Sequence, residues 1–300
     1  MYDGPIIDAH HHFWDLSMGK HPWLTNTSDG IDALGSLEKI RHDFMVEQFL
    51  DVIGDTPIVA SVHIEALWDA NDTLGETAWL DTLDKSSGLA TRYVGNAALG
   101  TKDAADLLKA QAENPRMTGI RGILSNHPTL DLSFASDPYL GYDPAWRSDV
   151  AAIHALGLNL ELMVYSYQAG IVQDLAHSFP DMTIVINHCA SPIDRDAAGM
   201  ARWRAALATM ASCENVVIKT SNASHYDPDW SEESLAAIVH DCLAVFGAHR
   251  CIFGTDYPVS SLKLDYPTIM DFAMRATQHL SASEQSAYFH DNAKRVYKFD

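Results

Sequence analysis

The segment IIDAHHHFWD, residues 6 to 15, places three histidines directly after a short apolar run. Side chains on a strand alternate between its two faces, so Asp8, His10 and His12 would share one face, and Ala9 and His11 the other. Two imidazoles on one face at a strand end can bind one metal ion or one substrate oxygen. His11 is expected to pack outward. Closely spaced histidines also occur in surface loops, so this pair gains meaning only with partners elsewhere.

The elements that must position such a pair are short runs rich in β-branched residues, which alternate with longer amphipathic stretches. The runs are Ile6 to Ala9, Ile58 to Ile64, Tyr93 to Leu99, Gly119 to Leu124, Asn159 to Val164, Thr183 to Ile186, Val216 to Thr220 and Cys251 to Phe253. Ser231 is expected to start one helix that runs to Gly247, and Ser281 with Glu284 forms a possible capping box. Strands that alternate with helices predict a parallel sheet.

The count of eight runs in 300 residues, without a linker, favours an α/β fold of the closed (β/α)8 (TIM barrel) type. Two doubly wound domains are the alternative, but no GxGxxG or Walker-type loop follows any run. We expect one barrel over residues 1–300, with extended loops near 15–57 and 125–144.

A barrel of this type predicts functional residues at the carboxyl ends of its strands. Polar side chains do occupy these positions in the sequence. They are His10 and His12, His63 and Glu65, Asn96, Arg121, Tyr165, Asn187 and His188, Ser221 and Asn222, and Asp256.

Several of these positions lie in motifs that resemble the amidohydrolase superfamily, specifically the amidohydrolase-related (amidohydrolase 2) branch of lactonases and decarboxylases. The motifs are IIDAHHHFWD, GIRGIL, TIVINHCASPIDR, NVVIKTS and RCIFGTDYPVS, followed by HDNAKRVY, and the resemblance spans roughly residues 5 to 298. It implies a (β/α)8 barrel whose site consists of His10, His12, His188 and Asp256.

Three imidazoles and one carboxylate form a reasonable ligand set for one Zn²⁺ or Mn²⁺ ion. The same groups could act without a metal, with Asp256 taking a proton from water and the histidines polarising a carbonyl oxygen. The resemblance leaves both readings open, because the related lactonases do not depend on a metal and the related decarboxylases use one. The fourth strand ends in Ile123 and Leu124, where two-metal relatives have a bridging lysine, so we expect at most one metal.

The motif TDYPV retains Asp256, where some members of this branch carry Asn in a motif like SNFPV. A base is therefore present, which favours an active enzyme. We expect hydrolysis of a lactone, either a sugar lactone or a small carboxylated one, by water that Asp256 activates. The alternatives are a single-metal decarboxylase of an unsaturated or aromatic acid, and a non-catalytic ligand-binding barrel.

Five further residues are candidates for binding substrate. Arg121 would form either an internal ion pair or a clamp for a substrate carboxylate. His63 and Glu65 would point together into the site mouth, or only hydrogen-bond each other. Tyr165 could donate to a substrate oxygen, and His225 is either a ligand or acid, or an ordinary loop histidine.

A second group of residues has weaker claims to the site. His127 precedes a proline and is expected to serve a turn. Trp14, Trp23 and Trp68 could wall a pocket, although most tryptophans are core or rim residues.

The acidic balance, with 20 Lys plus Arg against 40 Asp plus Glu, gives a formal net charge of -20. This charge disfavours nucleic acid and membrane surfaces as partners and leaves a small-molecule substrate, while a homo-oligomer stays compatible with the sequence. The four cysteines show no paired spacing and are expected to be reduced and buried. No export signal is evident at the N-terminus, so a cytoplasmic location is expected.

Overall fold

The computed structural model describes residues 2–25, 35–227 and 229–299. Eight strands form one parallel sheet in which each strand pairs with the next along the chain. They are β1 Ile6–His11, β2 Ile58–Ile64, β3 Arg92–Gly95, β4 Met117–Ile123, β5 Asn159–Met163, β6 Ile184–Ile186, β7 Val216–Lys219 and β8 Cys251–Ile252. Each strand overlaps a predicted apolar run, although β1 ends two residues later and β3 and β4 begin one and two residues earlier than predicted, and the predicted barrel is confirmed.

Hydrogen bonds between β1 and the chain that follows β8 bring the two edges of the sheet together. The Ala9 amide donates to the Phe253 carbonyl at 3.2 Å, and the Asp256 amide donates to the His10 carbonyl at 2.7 Å. The His12 amide donates to the Tyr257 carbonyl at 2.9 Å. These bonds fix the position of Asp256 directly beside His10 and His12.

The interior of the barrel holds an apolar cluster contributed by strands from around the sheet, among them β2 and β7, which are not neighbours. Ile7, Val62, Val94 and Val217 belong to it, and the C-terminal helix adds Tyr297. Residues of such distant strands can meet only across the barrel axis. The larger apolar cluster lies between the strands and the surrounding helices.

The helices cover the outside of the sheet. They are α1 Pro22–Thr25, α2 Val46–Ile53, α3 Gly75–Leu80, α4 Ala104–Ala112, α5 Pro144–Ala155, α6 Ala169–Ser178, α7 Ala197–Ala211, α8 Glu232–Phe246, α9 Tyr266–Ala276, α10 Ala282–Ser286 and α11 Asn292–Val296. The two predicted helix starts are confirmed. Ser231 accepts a hydrogen bond from the Ser234 amide, and Ser281 with Glu284 forms a capping box.

The two long segments near 15–57 and 125–144 contain short helical turns, among them Leu16–Met18 and Leu140–Tyr142. Residues 26–34 of the first segment lie outside the described part of the chain. Within the described residues, no helix combines the length and hydropathy needed to cross a bilayer. All four cysteines are free and buried, as predicted.

Candidate active site

Three imidazoles surround one carboxylate oxygen at the carboxyl end of the barrel. Asp256 Oδ1 lies 3.2 Å from His10 Nε2, 3.1 Å from His12 Nε2 and 4.0 Å from His188 Nε2. All four side chains are buried. The residues come from the ends of β1, β6 and β8, so the structure brings together the four residues predicted from the sequence.

The alternation predicted for the histidine run is confirmed for the histidines. His11 points outward, where its Nε2 contacts the Ser61 hydroxyl at 2.8 Å and its ring packs on Phe49 of α2. Ala9 departs from the prediction, because it packs in the interior cluster instead of sharing the face of His11. The pairing of β1 with β2 shifts register between Asp8 and His11, and this irregularity breaks strict alternation.

Groups around the four residues hold them in place. The His12 Nδ1–H donates to the Ile64 carbonyl at 2.8 Å, and His188 Nδ1 contacts the Ser221 hydroxyl at 2.9 Å. Asn222 Nδ2 donates to Asp256 Oδ2 at 2.6 Å. The outer atoms of His12, His188 and Asp256 therefore have partners, and the inner atoms, Nε2 of the imidazoles and Oδ1 of Asp256, face one another.

Burial and neighbouring groups set the protonation of the site. Burial lowers the pKa of His188 to about 3, with Asp256 opposing this shift, and burial also lowers the pKa of His10 well below its usual value. For Asp256, burial favours a higher pKa, but His188 and the side chains of His10 and His12 more than offset it. The pKa of Asp256 therefore lies well below its ordinary value, and its ionised carboxylate lies beside the neutral imidazoles of His10 and His188.

The same arrangement suits a metal ion. A backbone carbonyl only accepts hydrogen bonds, so His12 Nδ1 carries a proton, and His12 Nε2 lies 3.1 Å from Asp256 Oδ1. Either a proton or a cation between Nε2 and Oδ1 satisfies both atoms. Donor atoms of His10, His188 and Asp256 also lie within 4.8 Å of one another. An imidazole that donates its other N–H to a carbonyl is common around bound metals.

A pocket of about 500 Å³ opens above these residues. Its lining contains both polar and apolar side chains. The polar ones are His12, Glu65, Arg121, His188, Asn222, His225, Tyr226 and Asp256, and the apolar ones are Trp23, Ala66, Leu67, Phe134, Met163 and Val259. A compact ligand with both polar groups and an apolar face fits such a lining.

The structure places three of the five further candidates at this pocket. Arg121 Nη1 lies 3.3 Å from Glu65 Oε1, so the internal ion pair considered for Arg121 is present, and both side chains line the pocket. His225 also lines it. Its Nδ1 lies 3.0 Å from Asn222 Nδ2, an amide donor, so the His225 proton sits on Nε2. Burial lowers the pKa of His225 to about 4, which keeps its ring neutral.

His63 and Tyr165 are not among the described residues that line the pocket. Because β2 ends at Ile64, His63 and Glu65 do not point together. His63 Nδ1 accepts from the Phe13 amide, and Nε2 donates to Glu76 at 3.1 Å. The Tyr165 hydroxyl donates to the Leu132 carbonyl at 2.9 Å.

The weaker candidates are placed as follows. The turn expected at His127 is present, since its Nδ1 accepts from the Thr129 amide at 2.9 Å. Of the three tryptophans, Trp23 is part of the pocket lining, whereas Trp14 is fully buried.

Sequence reasoning missed a charged pair directly beneath the site. Lys219 on β7 forms a short ion pair with Glu161 on β5, and both side chains are fully buried. Glu161 also accepts from Asn187 at 2.8 Å and from Tyr297 at 2.9 Å, and Lys219 Nζ lies 3.5 Å from His10 Nδ1. A charged residue inside an otherwise apolar strand run, as in NLELM and VVIK, was the available signal.

Fold and site together define a (β/α)8 barrel with a histidine and aspartate centre at its strand ends. The sequence profile of the Amidohydrolase family matches residues 7–299, and the chain belongs to this family. The resemblance seen in the motifs is thereby confirmed, and the protein is a hydrolase of the amidohydrolase superfamily.

Two relatives and one solved structure show how far the likeness extends. An uncharacterized protein, y4mH, of Sinorhizobium fredii (strain NBRC 101917 / NGR234) is 32% identical over 300 residues, which cover 99% of this chain and 100% of the relative. An L-fucono-1,5-lactonase of Burkholderia multivorans (strain ATCC 17616 / 249) is 28% identical over 303 residues, covering 97% and 95%. A crystal structure of an amidohydrolase from Burkholderia multivorans with bound zinc has a TM-score of 0.81 at 24% identity, covering 99% of this chain and 100% of that one.

Proposed function

We propose that the protein hydrolyses the ester bond of a lactone, most simply a sugar lactone, with Asp256 as the base that activates water. The observation that carries this proposal is the ionised Asp256 Oδ1, which is buried at the pocket among the imidazoles of His10, His12 and His188. Similarity to an L-fucono-1,5-lactonase supports the choice of a lactone.

The chemistry follows from the positions of the protein groups. A water molecule beside Asp256 Oδ1 gives a proton to the carboxylate as its oxygen attacks the lactone carbonyl carbon. The carbonyl π electrons move to the carbonyl oxygen, which then carries negative charge. The His225 Nε2–H faces the pocket as a neutral donor and is available to that oxygen or to a substrate hydroxyl.

Collapse of the tetrahedral intermediate completes the reaction. The carbonyl re-forms as the bond between the carbonyl carbon and the ring oxygen breaks. Asp256 returns its proton to the departing ring oxygen, which becomes the hydroxyl of the product. The product is a hydroxy acid that ionises at neutral pH, so turnover releases one proton to solvent.

His10, His12, His188 and Asp256 would hold a divalent metal in this site, if one is bound. Such an ion would polarise the carbonyl and lower the pKa of nearby water. The roles of Asn222 in orienting Asp256, and of Ile64 and Ser221 in orienting the imidazoles, are the same with or without the ion.

Acid release from a panel of sugar lactones, followed with a pH indicator, tests the proposal. Asp256→Asn is expected to lower kcat about 100-fold or more, the usual contribution of a positioned base. Asp265→Asn is the matched control, because Asp265 is a helix cap that accepts from the Thr268 amide, a role Asn can fill. Its activity should stay within about twofold of wild type.

Two outcomes would refute the proposal. One is a purified, metal-replete protein that cleaves no lactone and releases carbon dioxide from an aromatic or unsaturated acid. The other is lactone cleavage that survives Asp256→Asn. Metal analysis before and after treatment with a chelator shows whether the hydrolysis needs an ion.

A further inference from the structure

The wall of the pocket contains a fixed ion pair whose charges cancel locally. Arg121 Nη1 donates to Glu65 Oε1 at 3.3 Å and to the Glu65 backbone carbonyl at 3.2 Å. The side chains of Arg121 and Glu65 are only 8% and 3% exposed. The second Glu65 oxygen, Oε2, accepts from the Leu67 amide at 3.0 Å, so the carboxylate is held from both sides.

This pair decides what charge the pocket presents to a ligand. Both protons of Arg121 Nη1 are used by Glu65, and Nη2 contacts Met163 Sδ at 3.3 Å. The Nε–H of Arg121 is buried and has no partner among the described residues. Glu65 therefore already balances the charge of Arg121, so a ligand carboxylate would find no uncompensated positive charge on this guanidinium.

We infer that Glu65 is a specificity-determining residue: by occupying Arg121, it excludes lactones that carry a carboxylate and selects neutral, hydroxyl-bearing ones. The inference rests on the proposed lactonase function. Glu65 and Arg121 have opposite effects on the binding of an anionic substrate. Arg121 alone would attract it through charge-assisted hydrogen bonds, and Glu65 removes that attraction.

Two lactones that differ only at C6 test it. D-glucono-1,4-lactone carries a neutral CH₂OH group there, and D-glucaro-1,4-lactone carries a carboxylate. Wild type should prefer the neutral lactone at least tenfold in kcat/KM. Glu65→Gln keeps the size and the acceptor for the Leu67 amide but removes the charge. It should shift the kcat/KM ratio at least tenfold toward the glucarolactone, chiefly through KM.

Two control variants connect the shift to Arg121. In the double variant Glu65→Gln with Arg121→Gln, the gain on glucarolactone should disappear. Arg121→Gln alone should leave the ratio close to that of wild type, because Glu65 already occupies Arg121. A tenfold or larger shift toward the neutral lactone in this variant would show that wild-type Arg121 binds the carboxylate, and would overturn the inference. Thermal unfolding shows that each variant is folded, and the Arg121→Gln result stands by itself if Glu65→Gln fails to fold.

The possible failures are distinguishable. A wild type that hydrolyses the gluconolactone, together with a folded Glu65→Gln whose ratio is unchanged, overturns the inference and leaves the lactonase proposal standing. A wild type that prefers the glucarolactone also overturns it. If wild type cleaves neither lactone, the lactonase proposal loses its support. Calorimetric binding of D-galactose against D-galacturonate, which also differ only at C6, then measures charge selection in the same variants.

Discussion

Asn222 gives the most direct test of how the site controls its base. Its Nδ2 donates to Asp256 Oδ2 at 2.6 Å and lies 3.0 Å from His225 Nδ1, so one amide orients both pocket residues. Asn222 has a left-handed φ of 46°. Asn222→Gly therefore removes the amide without imposing backbone strain, because glycine tolerates this conformation.

The magnitude follows from the hydrogen bond that is lost. A hydrogen bond to a charged group contributes about 1.5–3 kcal/mol, and one pKa unit corresponds to about 1.4 kcal/mol. The bond stabilises the ionised carboxylate, so its loss raises the pKa of Asp256 by about one to two units. The base form then persists only at higher pH. The acid limb of kcat/KM should move up by about one to two pH units.

The assay is the pH profile of lactone hydrolysis for wild type, Asn222→Gly and Asn222→Asp. The Asp variant places a second carboxylate 2.6 Å from Asp256, at the position of the Asn222 amide, and should shift the acid limb further because like charges cannot both ionise easily. Asn71→Ala removes an exposed amide and serves as the control. If activity falls in Asn222→Gly while the acid limb stays in place, Asn222 does not tune the base.

Three further predictions concern buried ionisable residues. Lys219→Met should destabilise the protein by about 3–5 kcal/mol in urea unfolding, because it leaves the Glu161 carboxylate buried without its cationic partner. The double variant Lys219→Met with Glu161→Leu should recover most of that free energy of unfolding. Burial raises the pKa of Glu76 to about 7, so unfolding free energy should fall by up to about 3 kcal/mol between pH 4.5 and 7 from this group. Glu76→Gln should lack that fall; equal slopes in both proteins would contradict the assignment. His188→Ala should weaken Zn²⁺ binding at least tenfold in competition with a chromophoric chelator, and equal affinity would exclude His188 as a ligand.

The fold could be predicted because parallel barrel strands are buried on both faces and therefore appear as apolar runs. The positions of His10, His12, His188 and Asp256 followed from the same reasoning, since strand ends in a barrel meet at one edge. Parity on β1 separated His11 from its neighbours correctly. It failed for Ala9, because the register shift between Asp8 and His11 is set by pairing with β2 and has no local signature.

Contacts between distant strands could not be predicted from the sequence. Lys219 and Glu161 lie on β7 and β5, which are separated by β6, so their contact depends on the stagger of the whole barrel. The hydrogen-bond partner of His63 is Glu76 on α3, and this contact depends on how α3 packs against β2. A strand-end rule identifies polar residues near a site, but it does not say which of them are already occupied by other protein groups.

The backbone conformation that orients His188 could not be predicted from the sequence. His188, Cys189, Ala190 and Ser191 all have left-handed φ values, between 41° and 55°. Each non-glycine residue in that region costs roughly 1–2 kcal/mol. Two hydrogen bonds stabilise the turn. The Ser191 amide donates to the His188 carbonyl at 2.8 Å, and Trp203 Nε1 donates to the Cys189 carbonyl at 2.7 Å. No propensity scale would place four such residues in a row. Packing supplies the free energy that keeps the turn, and the turn aims His188 at Asp256.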